Sequence, residues 1–216
     1  PDIVFHAAAL KHVPLVEFNP IEGLQTNSIG TRIIADTCLM FQVPEMVLIS
    51  TDKAVNPVNV MGAAKRVAEK YCQAADISQD KTRFITVRFG NVLGSAGSVV
   101  PLFQEQLLRG GPITVTHPEV ERYFMTVSEA VELVLQAAAL GPKKEEKGAI
   151  YVLDMGIPIK IIDLARQVIS LAGKIPDKDI KIKIIGLRPG EKITEELFYG
   201  EEPPITTDMD GIFIAK

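Results

Sequence analysis

The chain has no tryptophan, only two cysteines and three histidines, and aromatic residues make up 6% of it. Cys38 and Cys72 have no metal-ligand spacing, so they read as reduced thiols in a cytoplasmic setting, with neither a disulfide framework nor a zinc centre. His6, His12 and His117 stand too far apart in sequence to propose a metal site. No signal peptide is visible. The most apolar stretch, Ala130 to Leu140, is too short to span a bilayer and carries Glu132 and Gln136. Neither sign of charge dominates: 23 basic against 27 acidic residues argue against a nucleic-acid partner but leave room for one phosphorylated ligand. The 16 glycines follow no period, which excludes collagen, and 47% hydrophobic content excludes a disordered polymer. An initiating methionine is lacking too. The chain opens on Pro1 and almost at once on a strand, which reads as a fragment.

What is present suits one or two globular domains. Asp2 to Ala9 is a short apolar run of the kind that forms a buried parallel strand. Asn19-Pro20 offers an N-cap with proline at the first helical position, and the helix it opens extends to about Gln42. Met46 to Ser50 is a second strand, Val60 to Ala75 a second helix and Arg83 to Phe89 a third strand. This alternation predicts right-handed crossovers onto a parallel sheet with helices on both faces. The second half is less regular. It carries helical patterns at Ser98 to Arg109, Ser128 to Ala139 and Ile159 to Ala172, and strand patterns at Ile113 to Thr116, Ala149 to Leu153 and Ile180 to Ile185. The charged run Pro142 to Lys147 reads as a solvated loop. The expected fold is α/β: residues 1–95 as half of a doubly wound domain, and 96–216 as a smaller mixed region with some elements packing back on the sheet.

Ser50-Thr51-Asp52-Lys53 directly follows the second strand, and ligands of open parallel sheets bind at strand carboxyl ends. A hydroxyl, a carboxyl and an amine there can supply a hydrogen-bond donor, an acid and a base; a polar helix-capping turn would look the same. Met61 and Lys65 share one helix face, so Lys65 could reach the strand-end cleft, although alone it would be a surface lysine. Asn91 sits among the glycines of Arg88 to Gly94, after the third strand. Arg188, in Arg188-Pro189-Gly190-Glu191-Lys192, could fork onto phosphate oxygens, whereas Glu191 could merely complement a helix dipole.

Together these pieces are more specific than any one. HAAALKHVP (His6 to Pro14), NPIEGLQTNSIGT (Asn19 to Thr31), STDKAVNPVNVMGAAK (Ser50 to Lys65), RFGNVLGS (Arg88 to Ser95) and GLRPGEKITEEL (Gly186 to Leu197) occur in the order and spacing of a known family. The chain resembles the nucleotide-sugar 4,6-dehydratases of capsule and O-antigen biosynthesis, within the extended short-chain dehydrogenase/reductase superfamily. The resemblance implies an NAD(P)-binding Rossmann-like domain followed by a small substrate domain, with NAD as cofactor and NADP not excluded. It places the Gly-rich pyrophosphate turn before Pro1, predicts that the fragment alone is inactive, and implies a homo-oligomer whose parent chain is anchored in the membrane with a cytoplasmic catalytic domain. The implied substrate is UDP-N-acetylglucosamine, taken through an internal hydride cycle to a UDP-4-keto-6-deoxy sugar. In that scheme Thr51 hydrogen-bonds the 4-oxygen, Asp52 is the acid for loss of the 6-hydroxyl, and Lys53 is the base at carbon 5. Lys65 binds the nicotinamide ribose, Asn27 organises an active-site water, and His6, Ala7 and Ala8 line the cofactor. Lys11 faces the substrate, and Asn91, Arg122, Arg188 and Glu191 hold the UDP moiety.

One departure matters. Most of the superfamily has tyrosine four residues before the lysine, where this chain has Met61, whose thioether has no proton to exchange. Either the proton abstraction passes to Asp52, Lys65 or a water, or oxidation has been lost; because the same methionine marks the membrane-anchored branch, the first reading is preferred. The alternatives are a UDP-sugar 4-epimerase and a non-catalytic UDP-sugar-binding domain.

Overall fold

The computed structural model describes residues 1–95, 97–140, 147–200 and 203–215. In chain order these fold as β1 (Ile3–His6), α1 (Val13–Phe18), α2 (Pro20–Leu24), a π-helical turn (Gln25–Ile29), α3 (Gly30–Met40), β2 (Glu45–Ile49), a 3-10 turn (Asp52–Ala54), α4 (Val60–Ser78) and β3 (Arg83–Arg88). There follow β4 (Asn91–Val92), α5 (Val99–Leu108), β5 (Ile113–Val115), β6 (Glu121–Arg122), β7 (Phe124–Met125), α6 (Val127–Leu140), β8 (Ile150–Leu153), β9 (Ile159–Lys160), α7 (Ile161–Leu171), β10 (Ile182–Ile184), β11 (Ile205–Thr206) and β12 (Ile212–Ala215). The charged run expected as a loop lies, but for Lys147, outside the described residues.

Among the described residues the main sheet has six strands in the order β1-β2-β3-β8-β12-β11. β1, β2, β3 and β8 pair in parallel, and β12 and β11 close the far edge antiparallel. The interior strands are apolar on both sides because helices cover both faces. On β2 and β3, Met46, Leu48 and Phe84 pack beneath Ala35 and Cys38 of α3 and Ala68 and Cys72 of α4. The alternate residues Val47, Ile85 and Val87 pack on the other face against Ala130, Val134 and Ala137 of α6. Strand pleating alone produces this division. A separate core of Phe103, Ile113, Val115, Ile161, Ala165 and Ile169 unites α5, α7 and β5, and β10 pairs with β5 in parallel.

Two details depart from the sequence expectation. The helix after Pro20 is not uniform: a π-helical turn with one extra residue interrupts it at Gln25–Ile29. Asn19 occupies the N-cap position but makes no capping bond; its side chain donates back to the Leu15 carbonyl of α1 instead, at 2.9 Å.

At the carboxyl end of the sheet, Arg88 and Glu69 are both fully buried. Arg88 lies on the α4 side of β3, as the alternation from Phe84 requires. Its Nε and Nη2 donate to the two oxygens of Glu69 at 3.1 and 2.9 Å, and its Nη1 donates to the Leu197 carbonyl at 2.9 Å. Glu69 also accepts from Ser50 and Arg66, at 2.7 and 3.0 Å. Removing one member of a buried pair strands the other charge without water. Glu69→Ala is therefore expected to cost about 3–5 kcal/mol of folding free energy. Urea denaturation of the two proteins measures it; a loss below about 1 kcal/mol would show that the pair behaves like an exposed one.

Candidate functional site

The strand ends open into a cavity of about 490 Å³, a volume usual for small-molecule and cofactor sites. Its walls come from the loop after β1 (Ala7, Leu10, Lys11), the turn after β2 (Thr51, Lys53), α4 (Met61, Lys65) and the loop after β3 (Gly90, Asn91). The opposite wall comes from the second half of the chain, including Ser98, Phe103, Arg122, Phe124, Arg188 and Glu191.

The turn after β2 holds its shape through its own backbone. Thr51 caps the 3-10 turn, its hydroxyl oxygen accepting from the Lys53 amide at 3.4 Å, and the Asp52 amide donates to the Phe89 carbonyl at 3.0 Å. Asp52 is thereby drawn beneath the cavity floor and fully buried. Its Oδ1 accepts from the Thr51 hydroxyl at 2.8 Å and from the Lys53 ammonium at 2.9 Å, while its Oδ2 is buried with no partner among the described residues. Lys53 Nζ also donates to Asn91 Oδ1 at 3.2 Å, and its ammonium lies 3.7 Å from Glu195 Oε1. Three consecutive residues thus form a hydroxyl–carboxyl–ammonium chain whose ends, Thr51 and Lys53, face the cavity.

α4 is fixed against this turn at its first residues. Asn59 caps it, accepting from the Gly62 amide at 2.7 Å and donating to the Gly190 carbonyl at 2.9 Å, and Glu17 accepts from the Val60 amide at 2.6 Å. Gly62 is required because a Cβ there would lie 2.2 Å from the Lys53 carbonyl oxygen. One turn on, Met61 and Lys65 are both buried and line the cavity on one face, as their spacing predicted. Lys65 Nζ donates to the Ile49 carbonyl at 2.7 Å. Burial pushes its pKa down from 10.5 to about 8, with the negative charge of Glu69 opposing that shift.

The other expected site residues fall into two groups. His6 and Asn27 do not line the cavity; they build its wall. Asn27 grips the Leu10 backbone from both sides, donating to its carbonyl at 2.9 Å and accepting from its amide at 2.8 Å. That grip fixes the loop presenting Ala7 and Lys11, where a water-organising role was expected. The Thr31 hydroxyl donates to the Asn27 carbonyl and meets His6 Nε2 at 3.0 Å, which places the proton of a neutral imidazole on Nε2. Burial, and then the charge of Lys65, lower the His6 pKa. Ala8 is exposed and is not a lining residue.

Lys11 and Arg188 are exposed lining residues. The Arg122 fork is committed to the carbonyls of Glu121, Lys192 and Ile193 at 2.7–2.9 Å. Glu191 accepts from Thr116 at 2.9 Å and from the Arg188 amide at 3.0 Å. Both therefore shape the cavity wall from within. Sequence reasoning missed Glu195, buried beside Lys53, and the Arg88–Glu69 pair. Glu195 stands among several acidic residues, and nothing in its spacing distinguishes it. Among the described residues no group of three or more His, Cys, Asp or Glu could hold a metal ion, and no helix is long and apolar enough to cross a membrane.

The small Ala7 and the amine of Lys65 beside the β1 and β2 ends fit the nicotinamide-ribose half of a dinucleotide. No Gly-x-Gly-x-x-Gly turn for a pyrophosphate occurs in the 216 residues.

Two outcomes follow from this geometry. Gly62→Ala should shift the Lys53 carbonyl, lowering stability by about 1–3 kcal/mol and activity with it; a fully active, equally stable variant would show that the turn is not pinned there. Lys65 binds its proton more weakly when folded than when unfolded, so its own contribution to stability should rise with pH between about 8 and 10.5. The rise should approach about 3 kcal/mol. Urea denaturation of wild type and Lys65→Met across that window checks it, since the rise should appear in the difference between the two. The Cys72 thiol, pushed by burial up to about 12, works in the opposite direction above about 9 in wild type and variant alike.

Residues 1–216 match the family described as polysaccharide biosynthesis protein. The capsular polysaccharide biosynthesis protein CapD of Staphylococcus aureus is 55% identical over 202 residues, covering 94% of this chain and 33% of its own length. A UDP-glucose 4-epimerase of Rickettsia akari is 37% identical over 214 residues, covering 98% of this chain and 60% of its own. The solved structure of Pen from Bacillus thuringiensis is 37% identical with a TM-score of 0.88, covering 99% of this chain and 65% of that one. A dTDP-glucose 4,6-dehydratase, the DesIV double mutant of Streptomyces venezuelae with NAD bound, shares the fold at a TM-score of 0.79 and 18% identity, over 93% of this chain and 65% of that one. The chain spans about a third of the CapD length and under two thirds of the epimerase. The fold is the Rossmann-like α/β arrangement of nucleotide-sugar dehydratases and epimerases, and the chain belongs to the polysaccharide biosynthesis protein family.

Proposed function

We propose that the intact protein carrying this segment is a UDP-N-acetylglucosamine 4,6-dehydratase for surface polysaccharide. The observation that carries the reading is the 2.9 Å Asp52–Lys53 ion pair beside Thr51, at the strand end facing the cavity. Residues 1–95 would supply the cofactor side and 96–216 chiefly the sugar-nucleotide side, in a homo-oligomer at the cytoplasmic face of the membrane.

NAD, when bound, supplies the hydride acceptor and donor of the cycle, with Ala7 and Lys65 facing its nicotinamide-ribose half and His6 in the wall behind them. The chain's own residues move the protons. The Thr51 hydroxyl holds the 4-oxygen of the sugar. Once carbon 4 is a ketone, the proton on carbon 5 becomes acidic. A single hop from Lys53 Nζ to Asp52 Oδ1 turns the ion pair into a neutral amine beside a protonated carboxyl. The amine is then a base and the carboxyl an acid. Lys53 takes the carbon 5 proton, the bond from carbon 6 to its oxygen breaks, and that oxygen leaves as water with a proton passed on from the buried Asp52 through the Thr51 hydroxyl. The elimination restores the ion pair. Lys53 returns a proton to carbon 5 as carbon 6 is reduced, and one solvent proton resets the couple, matching the one lost from the 4-hydroxyl. Met61 lines the cavity and takes no part in proton transfer.

The Rickettsia relative favours a second reading, a UDP-sugar 4-epimerase, which needs no acid–base pair at carbons 5 and 6. Incubating the intact protein with UDP-N-acetylglucosamine in deuterated water separates them. Loss of water with one deuterium at carbon 5 is expected, and Asp52→Asn and Lys53→Ala should each lower turnover by about 100-fold or more. Conversion to the 4-epimer without water loss would establish the epimerase, and undiminished turnover in both variants would remove Asp52 and Lys53 from the chemistry.

A further inference from the structure

Lys53 has a second carboxyl neighbour. Glu195 is only 4% exposed. Its Oε1 stands 3.7 Å from Lys53 Nζ and 3.9 Å from Arg122 Nε, just beyond hydrogen-bond length in both directions. Arg122 cannot turn to meet it, because its Nη1 and Nη2 are spent on the carbonyls of Glu121, Lys192 and Ile193. The segment bearing Glu195 is equally fixed: Arg88 holds the Leu197 carbonyl, and the Tyr199 hydroxyl donates to the Ala54 carbonyl at 3.0 Å. A buried carboxyl is thus held at a set distance from the amine without being bonded to it.

An ionised carboxylate so close to Lys53 favours the ammonium and opposes the hop to Asp52. An uncharged carboxyl at the same place does not. We propose that Glu195 is a positioning residue that sets how readily Lys53 gives up its proton: ionised, it holds Lys53 as the ammonium, and protonated, it releases the Asp52–Lys53 couple for elimination. This deepens, and rests on, the roles given to Asp52 and Lys53 above. Burial raises the Glu195 pKa and the Asp52 charge adds to the rise, against Lys53, Arg122 and Lys192, so the uncharged form persists above the ordinary carboxyl range.

Glu195→Gln fixes the uncharged form at every pH. In the intact protein the ratio of its kcat/KM to that of wild type should be near one at the acidic end and rise with pH to about tenfold at pH ~8. Glu195→Asp keeps the charge and should keep the wild-type pH dependence. A ratio that is constant or falls with pH overturns the proposal, because a purely structural loss would lower activity evenly. A second readout needs no turnover: acylation of Lys53 by a lysine-reactive anhydride, followed by peptide mass spectrometry on the unliganded protein. Labelling at pH ~8 should be several-fold faster in Glu195→Gln. Unchanged labelling overturns the coupling itself. Faster labelling with a flat activity ratio leaves the coupling standing and removes Lys53 from proton abstraction, which overturns the function assigned above. If the Gln variant does not fold, wild type alone decides: its labelling rate should rise less than tenfold per pH unit while Glu195 ionises, and a full tenfold rise throughout overturns the proposal.

Discussion

The site is built around one buried charge pair. Arg88 ends β3, Glu69 lies in the middle of α4, and neither touches water, so each is obliged to satisfy the other. In doing so they recruit everything the cavity needs. Ser50, the residue before Thr51, binds Glu69, which fixes where the polar turn leaves the sheet. Arg66 reaches the same carboxylate and stacks over the Tyr199 ring at 4.4 Å, while Arg88 takes the Leu197 carbonyl. Sheet, helix and the distant segment after Gly186 therefore meet at two side chains. Such a pair contributes little net stability compared with an apolar core of the same shape, but it admits few arrangements. That constraint suits a site where an amine must stand within a few tenths of an ångström of its partners.

Much of this was legible in the sequence. β2, β3 and α4 were readable because apolar runs and helical periodicity coincide with burial. β1, expected as a buried strand, lies instead at the edge of the described sheet with Ile3 and Phe5 exposed. The turn at Thr51–Lys53 announced itself by placing three different functional groups at a strand end. Met61 and Lys65 followed from the helical repeat. What stayed hidden depends on long-range closure. β12 is a four-residue strand whose apolar run looks like any other near a chain end, and only pairing with β8 gives it a place. The two-residue strands β4, β6, β7, β9 and β11 have too few residues to show a period. Arg122 and Glu191, given to the UDP moiety by the resemblance alone, line the cavity while their hydrogen bonds go to the protein itself.

The antiparallel edge adds a second lesson. β8 and β12 cover the far side of the sheet, and the ring of Phe213 meets that of Phe198 edge to face, 6.3 Å between centroids. Phe198 lies three residues from Glu195, so the same segment that seals the sheet also places a carboxyl beside Lys53. Packing at one end and charge at the other are thus mechanically one piece. This is why an acidic residue in a run of acidic residues acquires a defined position.

The π-helical turn at Gln25–Ile29 constrains length as well as conformation. Each residue of a helix advances its side chains by about 100°. Within the turn Asn27 meets the Leu10 backbone, and downstream the helix is phased so that Ala35 and Cys38 meet the sheet. The extra residue is the phase correction that lets one continuous helix serve both. Losing or gaining a single residue here would turn one of the two faces away from its partner. The register of the helix is therefore held as tightly as the side chains of Asn27 and Ser28 within it.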